Sequence, residues 1–327
     1  MTIPFSSGRP GSFSGSRILR SVPWRAMSVV QINELVKHYG NVHALKGVSL
    51  SVEKGEIYGL LGRNGAGKTT MIKILLSIVR PTLGEARLFG FPTGSTEGRK
   101  KVGYLPEDHR FPDYHNSYTL LDFYGSLYGM SAPERKRRIR EVLEIVGLVD
   151  DGLRKIRTYS KGMKQRVGLA QAMLHDPDVY FLDEPTDGVD PIGRKKIRDV
   201  LVQLKDRGKT IFVNSHILSE VELITSRVSI IDHGLIIRSG TVDELTRSKN
   251  VYDLTISGDA GPYLQEMLSL VKAARQVEGG LEIHLKDGDS NIDAVIDFLR
   301  DKGIGLRGVR ERKESLEDIF IQTVENR

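Results

Sequence analysis

The chain has 327 residues, of which 39% are hydrophobic, and its formal net charge is +6 at pH 7. This length exceeds one minimal domain and the composition supports a sizeable core, so two unequal domains are the default expectation. The sequence contains no cysteine, which excludes disulfides and thiolate metal sites. No apolar run approaches the roughly 20 residues of a membrane-spanning helix, so we expect a protein that is soluble or peripheral to a membrane.

The excess positive charge lies largely at the N-terminus. Residues 1–26 contain four arginines and no acidic residue, and the remaining chain is near neutral. A basic nucleic-acid surface is therefore a poor interpretation, and we expect no nucleic-acid partner. The same segment is rich in Ser, Gly and Pro and lacks the apolar stretch of a secretory signal, which predicts a disordered leader. A translation start at Met27 and an organellar transit peptide are the alternatives.

Hydrophobic patterning predicts strands first and helices later. The first part is predicted to form strands over Val29–Val36, Val48–Val52, Ile57–Leu61 and Ala86–Phe89, with a helix over Thr69–Val79. From about residue 107 to 176 the pattern is mostly helical, with helices over Leu120–Tyr128 and Ala132–Ile145 and a third that starts near Ser160. A helical subdomain is therefore predicted there.

Apolar strands and helices alternate in the next part of the chain. The strands are Val179–Leu182, Thr210–Val213 and Val228–Ile231, the helices are Ile192–Lys205 and Leu218–Ile224, and Leu235–Arg238 closes a hairpin. This alternation predicts a parallel sheet covered on both faces. Beyond about residue 248 the order becomes strand, helix, two strands, helix, strand, helix, which predicts a small α+β domain. Gly279 and Gly280 are predicted to form the turn between its first helical region and the next strand.

Residues 62–70 carry the most specific motif of the chain. They fit the pattern G-x-x-x-x-G-K-[ST] and lie between a predicted strand and a predicted helix. Glycines let backbone N–H groups converge on phosphate oxygens, and the helix directs its positive end at the same anion. We therefore predict a nucleotide phosphate site formed by Gly62, Arg63, Asn64, Gly65, Ala66, Gly67, Lys68, Thr69 and Thr70. In this loop Lys68 reaches the β- and γ-phosphates, and the Thr69 hydroxyl is a ligand for Mg²⁺.

Two carboxylates follow a buried strand at the same predicted edge of the sheet. Asp183 and Glu184 come directly after Val179–Leu182, and ligands gather at the carboxyl ends of parallel strands. Asp183 is predicted to hold Mg²⁺, and Glu184 to polarise the water that attacks the phosphate. Taken alone, the pair also fits a strand end with two solvated carboxylates. Together with the phosphate loop, it indicates phosphoryl transfer to water.

The segment Tyr159-Ser160-Lys161-Gly162-Met163-Lys164-Gln165-Arg166 predicts a helix that is capped by Ser160 and has one buried face. At this point the chain resembles the ABC transporter ATP-binding family, whose signature is usually Leu-Ser-Gly-Gly-Gln. The resemblance implies that Ser160 and Gly162 bind the γ-phosphate of ATP held by a partner subunit. It also implies that Tyr39 stacks on adenine, that Asp190 lies in the loop linking two nucleotide sites, and that His216 contacts the γ-phosphate as part of the catalytic group.

The chain departs from the family pattern at several positions. Tyr159, Lys161 and Met163 replace the usual Leu, first Gly and Gln of the signature, a form that resembles exporter ATPases. Lys161 adds positive charge near the phosphate in one interpretation and is solvated in the other. Glu107 stands where the family usually has Gln, and its carboxylate is a further candidate contact for Mg²⁺.

The resemblance covers about residues 29–240 and implies an α/β, P-loop NTPase fold. We expect an ABC ATPase domain over 27–247 with a mostly parallel core sheet, an antiparallel β subdomain and a helical subdomain, followed by a C-terminal α+β domain over 248–327. Ser315–Phe320 resembles the C-terminal helix of exporter ATPases.

The function implied by the resemblance is an ATP-binding and ATP-hydrolysing subunit that powers export by a separate membrane permease. A homodimer would enclose two ATP molecules with Mg²⁺ at the cytoplasmic face of the cell membrane, and the region from Glu107 to about 160 would dock the permease. The alternative is a soluble ABC ATPase that acts in translation or DNA maintenance. Such proteins usually carry two cassettes, long coiled coils or cysteine-rich modules, which this sequence lacks.

Overall fold

The computed structural model describes residues 28–286 and 292–325, so the predicted leader and the alternative start at Met27 lie outside the described residues. The first part of the chain forms strands β1 (Ser28–Tyr39), β2 (Val42–Glu53) and β3 (Ile57–Leu61), helix α1 (Lys68–Leu75), strands β4 (Leu83–Leu88) and β5 (Phe91–Pro92), helix α2 (Thr96–Arg99) and strand β6 (Val102–Leu105). Helix α1 ends before the predicted Val79, because Ser77 adopts a left-handed φ of 59° that no helix continues.

The middle part is helical, as predicted. It contains α3 (Ser117–Leu127), α4 (Ala132–Ile145), a 3₁₀ turn at Ile156–Thr158 and α5 (Lys161–Met173). Asn116 and Thr119 form a reciprocal capping box at the start of α3, and α4 begins with a proline in its first turn. Helix α4 starts where it was predicted, whereas α3 starts three residues before the predicted Leu120, because its capping box lies further upstream.

Strands and helices then alternate up to residue 246. The elements are β7 (Val179–Asp183), α6 (Pro191–Asp206), β8 (Thr210–Ser215), α7 (Leu218–Glu222), β9 (Arg227–Asp232), β10 (Leu235–Thr241) and α8 (Val242–Thr246). They complete a six-stranded sheet with the order β10-β9-β3-β8-β7-β6. All of its neighbouring pairs are parallel except β10 with β9, which form the predicted closing hairpin.

The position of the site follows from this sheet. Strands β3, β7 and β8 are buried along their whole length, as the apolar runs within them predict. Because they run parallel, their carboxyl ends meet at one edge. The phosphate loop follows β3 there, Glu184 follows β7 and His216 follows β8.

A second, antiparallel sheet has the order β2-β1-β4-β5. It shares a hydrophobic cluster with α1 and with one face of the six-stranded sheet, so the phosphate loop is supported from two sides. A second cluster joins the other face of the six-stranded sheet to α3, α4, α5 and α6. The observed layers agree with the predicted α/β fold and its antiparallel and helical subdomains.

The tail forms a third sheet. Its elements are β11 (Arg247–Ser257), a 3₁₀ turn at Gly261–Tyr263, α9 (Leu264–Met267), β12 (Ala273–Val277), β13 (Gly280–His284), α10 (Ile292–Asp301), β14 (Gly305–Lys313) and α11 (Leu316–Glu325). The sheet is antiparallel with the order β12-β13-β11-β14. The turn at Gly279 and Gly280 joins β12 to β13, not a helix to a strand, because the mostly exposed β12 has too little apolar alternation to mark it as a strand. Gly279 supplies the required left-handed φ of 74°.

Helix α11 leaves the third sheet and packs on the part of the chain that carries the six-stranded sheet. Leu316 and Ile319 are fully buried in the same hydrophobic cluster as Val221 of α7. The Leu316 N–H also donates to a carboxylate oxygen of Glu222 at 3.0 Å. The last helix is therefore joined to the nucleotide-binding part by apolar contacts and by a capping hydrogen bond, and the predicted division near residue 247 stays a prediction.

Candidate nucleotide site

The phosphate loop connects β3 to α1 and depends on glycine at two kinds of position. Gly67 precedes α1 with a φ of 111°, a conformation that side chains of L-residues avoid. Gly62 lies so close to β9 that an added Cβ would sit 2.4 Å from the carbonyl oxygen of Ile231. The loop therefore needs Gly67 for its backbone conformation and Gly62 for its packing.

Lys68 is buried and is held by oxygen atoms. Its ammonium group donates to the carbonyl oxygen of Gly62 at 2.7 Å and lies 3.3 Å from Oε1 of Glu184. The contact between Lys68 and Glu184 is an ion pair and not a hydrogen bond, since the buried Oε1 accepts no hydrogen bond from the described residues. The lysine predicted to meet phosphate is thus placed beside the carboxylate predicted to act on water.

Glu184 has an unusual backbone and three restraints. Its φ is 50°, which costs a residue other than glycine about 1–2 kcal/mol. Its N–H donates to the carbonyl oxygen of Asn214 at 3.0 Å, and its own carbonyl oxygen accepts from Nε2 of Gln165 at 3.2 Å. Its Oε2 accepts from the backbone N–H of His216 at 3.2 Å and lies 2.8 Å from Nδ1 of the same residue. These contacts fix the carboxylate at the sheet edge.

Asp183 presents an unpaired oxygen in the interior. Its Oδ1 accepts from Nδ2 of Asn214 at 3.1 Å, whereas Oδ2 is buried and lacks a hydrogen-bond partner among the residues described. Burial raises the pKa of the Asp183 carboxyl, and contacts with the side chains of Asn214 and Thr69 oppose that rise. An orphaned buried carboxylate oxygen beside a threonine hydroxyl suits a hard divalent cation.

Glu107 faces the same group of charges from the loop after β6. Burial raises the pKa of its carboxyl, and the neighbouring carboxylates of Asp183 and Glu184 raise it further. Within residues 28–286 and 292–325, no cluster of three or more His, Asp or Glu residues could hold a metal by itself. A magnesium ion at Asp183 would take most of its ligands from phosphate and water, as this ion commonly does.

A cleft of about 440 Å³ lies over the phosphate loop. Its walls include most of the predicted loop residues together with Glu107 and Glu184, and residues from β2 and the β9–β10 turn complete it. The lining residues are Val42, His43, Ala44, Lys46, Arg63, Asn64, Gly65, Gly67, Lys68, Thr69, Thr70, Glu107, Glu184 and His233. The volume and the three cationic side chains suit a polyphosphate ligand.

His216 lines an adjoining cavity of about 390 Å³ with Gly62, Arg63, Asn64, Leu218 and Phe320. Phe320 belongs to α11, so the C-terminal helix reaches the neighbourhood of the phosphate loop. His216 itself is half-exposed and contacts Glu184, as described above.

The four residues predicted to contact adenine or a partner's ATP are among those that do not line the main cleft. Tyr39 is exposed at the end of β1, with the Lys37 ammonium 4.8 Å from its ring centre. Ser160 and Asp190 are the N-caps of α5 and α6 and accept from the N–H groups of Met163 and Gly193 at 3.2 Å and 3.4 Å. Gly162 is buried, and a Cβ there would lie 3.1 Å from Cγ1 of Val189. Their predicted contacts with adenine, or with ATP on a partner, stay predictions.

The sequence analysis missed two buried residues that organise the site. Asn214 lies opposite Asp183 in the parallel register of β7 and β8, and Gln165 reaches Glu184 from α5. A polar residue at the end of the buried strand that starts at Thr210 was the available signal for Asn214. For Gln165, the sequence carries no such signal.

Lys161, one of the departures from the family signature, forms an ion pair. Its ammonium group lies 2.9 Å from Oδ2 of Asp187, in the loop between β7 and α6. The Lys161 side chain also lowers the pKa of the Asp187 carboxyl. The lysine is thus paired and still largely exposed, and its charge near a phosphate stays a prediction.

Comparison with known proteins agrees with the geometry. The ABC transporter family model matches residues 45–187, and a model for the C-terminal domain of DrrA1-3-like ATP-binding proteins matches residues 240–324. An uncharacterised ABC transporter ATP-binding protein of Synechocystis sp. is 41% identical over 88% of this chain and 80% of its own length. Two further relatives, each 32% identical, are the linearmycin resistance ATP-binding protein LnrL of Bacillus subtilis (90% of this chain, 97% of its own) and the bacitracin transport ATP-binding protein BcrA of Bacillus licheniformis (91% and 97%).

Among solved structures, a dimeric ATP-binding cassette in a post-hydrolysis state, bound to ADP and Pi, is similar with a TM-score of 0.60. It is 26% identical and covers 65% of this chain and 98% of its own.

A parallel sheet with a phosphate loop and an acidic strand end at one edge, joined to an antiparallel sheet and a helical layer, defines an ATP-binding cassette. The chain belongs to the ABC transporter ATP-binding proteins. The predicted ATP-binding and ATP-hydrolysing subunit of a transporter is thereby confirmed, and ATP is its nucleotide. The alternative of a soluble ABC ATPase in translation or DNA maintenance is not supported. None of the helices in the described parts of the chain is both long and apolar enough to span a bilayer.

Proposed function

We propose that two copies of this chain enclose two ATP molecules and drive export through a permease on a separate chain. The observation that carries the proposal is that Lys68, Asp183 and Glu184 lie together at one edge of the parallel sheet. Lys68 and Glu184 line the cleft over the phosphate loop there. Phosphoryl transfer to water depends on neutralised phosphate charge and a positioned water, and one cation with two carboxylates can supply both.

In the proposed site, the backbone N–H groups of the loop and the Lys68 ammonium bind the β- and γ-phosphates. Thr69 and Asp183 hold Mg²⁺, and the unpaired Oδ2 of Asp183 supports this assignment. Glu107 faces the same charges and completes the acidic surroundings. When bound, the metal supplies positive charge that offsets the charge developing on the transferred phosphoryl group.

Glu184 accepts a proton from the attacking water. His216 orients it, because both its backbone N–H and its ring contact the same carboxylate oxygen. A positioned acid–base group of this kind contributes about 10²–10⁴-fold to a rate. The proposed catalytic pair is therefore Glu184, which acts on water, and His216, which holds Glu184 and contacts the γ-phosphate.

Each ATP would also contact the partner copy. Ser160 is exposed at the positive end of α5, a 13-residue helix, and Gly162 follows it, so backbone N–H groups there can bind a phosphate presented from outside the chain. Asp190 is the N-cap of α6, and the exposed Tyr39 is accessible to an adenine ring. The dimeric cassette bound to ADP and Pi supports the pairing.

The permease would dock on the helical layer at the cytoplasmic face of the membrane. Tyr114, Phe123 and Leu127 expose apolar surface on the loop before α3 and on α3 itself, and exposed apolar residues grouped in this way are typical of docking surfaces. The names of the relatives, which concern bacitracin transport and linearmycin resistance, favour outward transport of antibiotics or similar compounds.

The phosphate site is tested by Lys68→Ala, with Lys73→Ala as the matched control, because Lys73 is exposed on the same helix. We expect Lys68→Ala to weaken ATP affinity by about tenfold or more, since a charge-assisted contact to phosphate contributes about 1.5–3 kcal/mol. Isothermal titration with ATP and Mg²⁺ measures the affinity. Unchanged affinity in Lys68→Ala would contradict the proposed phosphate contact.

Export coupling is tested separately. The tagged chain is purified from detergent-solubilised membranes of its own host, and the copurifying proteins are identified. We expect one membrane-spanning partner in stoichiometric amount. A preparation that contains ribosomes or DNA and lacks such a partner would overturn the transporter assignment without affecting the ATP site.

A further inference from the structure

Lys161 and Asp187 connect two regions that the proposed mechanism assigns to different ATP molecules. Lys161 is the first residue of α5, next to Ser160, whereas Asp187 follows Glu184 in the loop after β7. Their side chains form the 2.9 Å ion pair described above. The ion pair therefore links the helix end proposed to contact the partner's ATP with the loop that carries this chain's own catalytic carboxylate.

The contact continues into the site. The second oxygen of Asp187, Oδ1, lies 3.9 Å from Nε2 of His216. The other ring nitrogen of His216, Nδ1, lies 2.8 Å from Oε2 of Glu184. Asp187 thus faces Lys161 with one oxygen and His216 with the other; the approach to His216 is longer than a hydrogen bond and is an ion pair only when the imidazole is protonated.

The backbone of the loop leaves room for this arrangement. Gly188 has a φ of 60°, and a Cβ added to it would lie 2.1 Å from Nζ and 2.9 Å from Cδ of Lys161. The lysine side chain lies across this glycine on its way to Asp187. Any side chain at position 188 would have to displace Lys161, so the geometry of the ion pair depends on the local sequence and not on two freely moving side chains.

We propose that Lys161 and Asp187 are positioning residues for hydrolysis. They hold His216, and through it Glu184, in a fixed position relative to the N-terminus of α5. This inference rests on the proposed function of Glu184 and of the helix end. It gives a physical role to the lysine that replaces glycine in the signature. Binding of the partner's ATP at the N-terminus of α5 would then influence this chain's own Glu184 through the Lys161–Asp187 ion pair and the His216 ring.

Because Lys161 and Asp187 are largely exposed, a positioning role can be distinguished from a role in stability. Lys161 and Asp187 are 58% and 42% exposed, and ion pairs of such exposure contribute little to stability. Loss of the pair should therefore change turnover and leave the melting temperature unchanged. A change in the ATP affinity would instead indicate that Lys161 touches phosphate directly.

The experiment is a double-mutant cycle on the full-length chain, with Lys161→Gln, Asp187→Asn and the two together. We expect each single variant to lower kcat roughly three- to tenfold, as for contacting residues of one network, with KM for ATP and Tm unchanged. The double variant should be no slower than the slower single variant, and Lys161→Arg should restore most of the activity. Lys164→Gln is the control, because Lys164 lies one turn further along α5 and forms no ion pair within the described residues.

Three results would overturn the inference: normal kcat in both single variants, effects that multiply in the double variant, or a raised KM in Lys161→Gln that persists beside Asp187→Asn. Glu184→Gln, measured in parallel, separates this inference from the proposed function. If Glu184→Gln is inactive and Lys161→Gln is normal, only the positioning role fails. If Glu184→Gln hydrolyses ATP at the normal rate, the assignment of Glu184 fails and the positioning role fails with it.

Discussion

Replacing Glu184 by Gln is the sharpest test of the site, because it removes one charge and leaves the shape of the side chain almost unchanged. Glu184 is only 4% exposed and lies 3.3 Å from the ammonium of Lys68, which is 5% exposed. The substitution therefore acts on two quantities at once. It removes the proton acceptor for the attacking water, and it leaves the buried charge of Lys68 with one anionic neighbour fewer.

The two effects have different magnitudes. Loss of a positioned proton acceptor lowers kcat by about 10²–10⁴-fold, which corresponds to about 2.7–5.4 kcal/mol in the barrier. Removing one partner of a buried ion pair costs about 3–5 kcal/mol when nothing replaces it. Here Lys68 keeps its 2.7 Å hydrogen bond to the Gly62 carbonyl, and the new amide oxygen can still accept from the backbone N–H of His216. We therefore expect the free energy of unfolding to fall by only about 1–2 kcal/mol.

The assays are ATP hydrolysis, size-exclusion chromatography with Mg²⁺ and ATP, and thermal unfolding with and without the nucleotide. Glu184→Gln should bind ATP, accumulate as a dimer, turn over slowly and recover its Tm when phosphate replaces Glu184 beside Lys68. Glu220→Gln is the control: it removes the ion pair with Arg198, outside the main cleft. Normal hydrolysis by Glu184→Gln, or a Tm that ATP does not restore, would refute the reasoning.

Two further predictions concern the metal and the last helix. Asp183→Asn should raise the Mg²⁺ concentration for half-maximal hydrolysis at least tenfold, because one carboxylate ligand is lost, and a Mg²⁺ titration that matches the wild type would contradict the metal assignment. Ile319→Ala should lower the free energy of unfolding by about 2–4 kcal/mol in urea, since Ile319 is fully buried in the cluster that joins α11 to α7. Ile321→Ala, on the exposed face of α11, is its control, and equal effects of the two would exclude the docked position of α11.

Local signals explain which elements the sequence predicts well. Strand β3 occupies the predicted Ile57–Leu61 and helix α4 the predicted Ala132–Ile145. The first is a short apolar run that ends at Gly62, and the second begins with proline in its first turn and keeps one apolar face. The phosphate loop follows from its residue types alone. In each case the deciding interactions lie within a few residues of one another.

Features that depend on distant contacts were not predictable in the same way. Strand β6 is only four residues long and contains Gly103, so its pattern is weak, and only its pairing with β7 identifies it. The contact between Asn214 and Asp183 depends on the register of β7 and β8. The apolar spacing of α11 indicates a helix with one buried face, but it does not indicate which part of the chain covers that face.

The geometry around Glu184 suggests why phosphate binding and water activation are linked. Oε1 of Glu184 faces the Lys68 ammonium, whereas Oε2 is held by His216. Phosphate oxygens would compete with Oε1 for the same buried cation, because one ammonium group has three donors and already gives two, to the carbonyl oxygens of Gly62 at 2.7 Å and Arg63 at 3.4 Å. Phosphate in that position would release Oε1 toward water while Oε2 stays held by His216. In the proposed mechanism, a carboxylate divided in this way would act on water only after the substrate has bound.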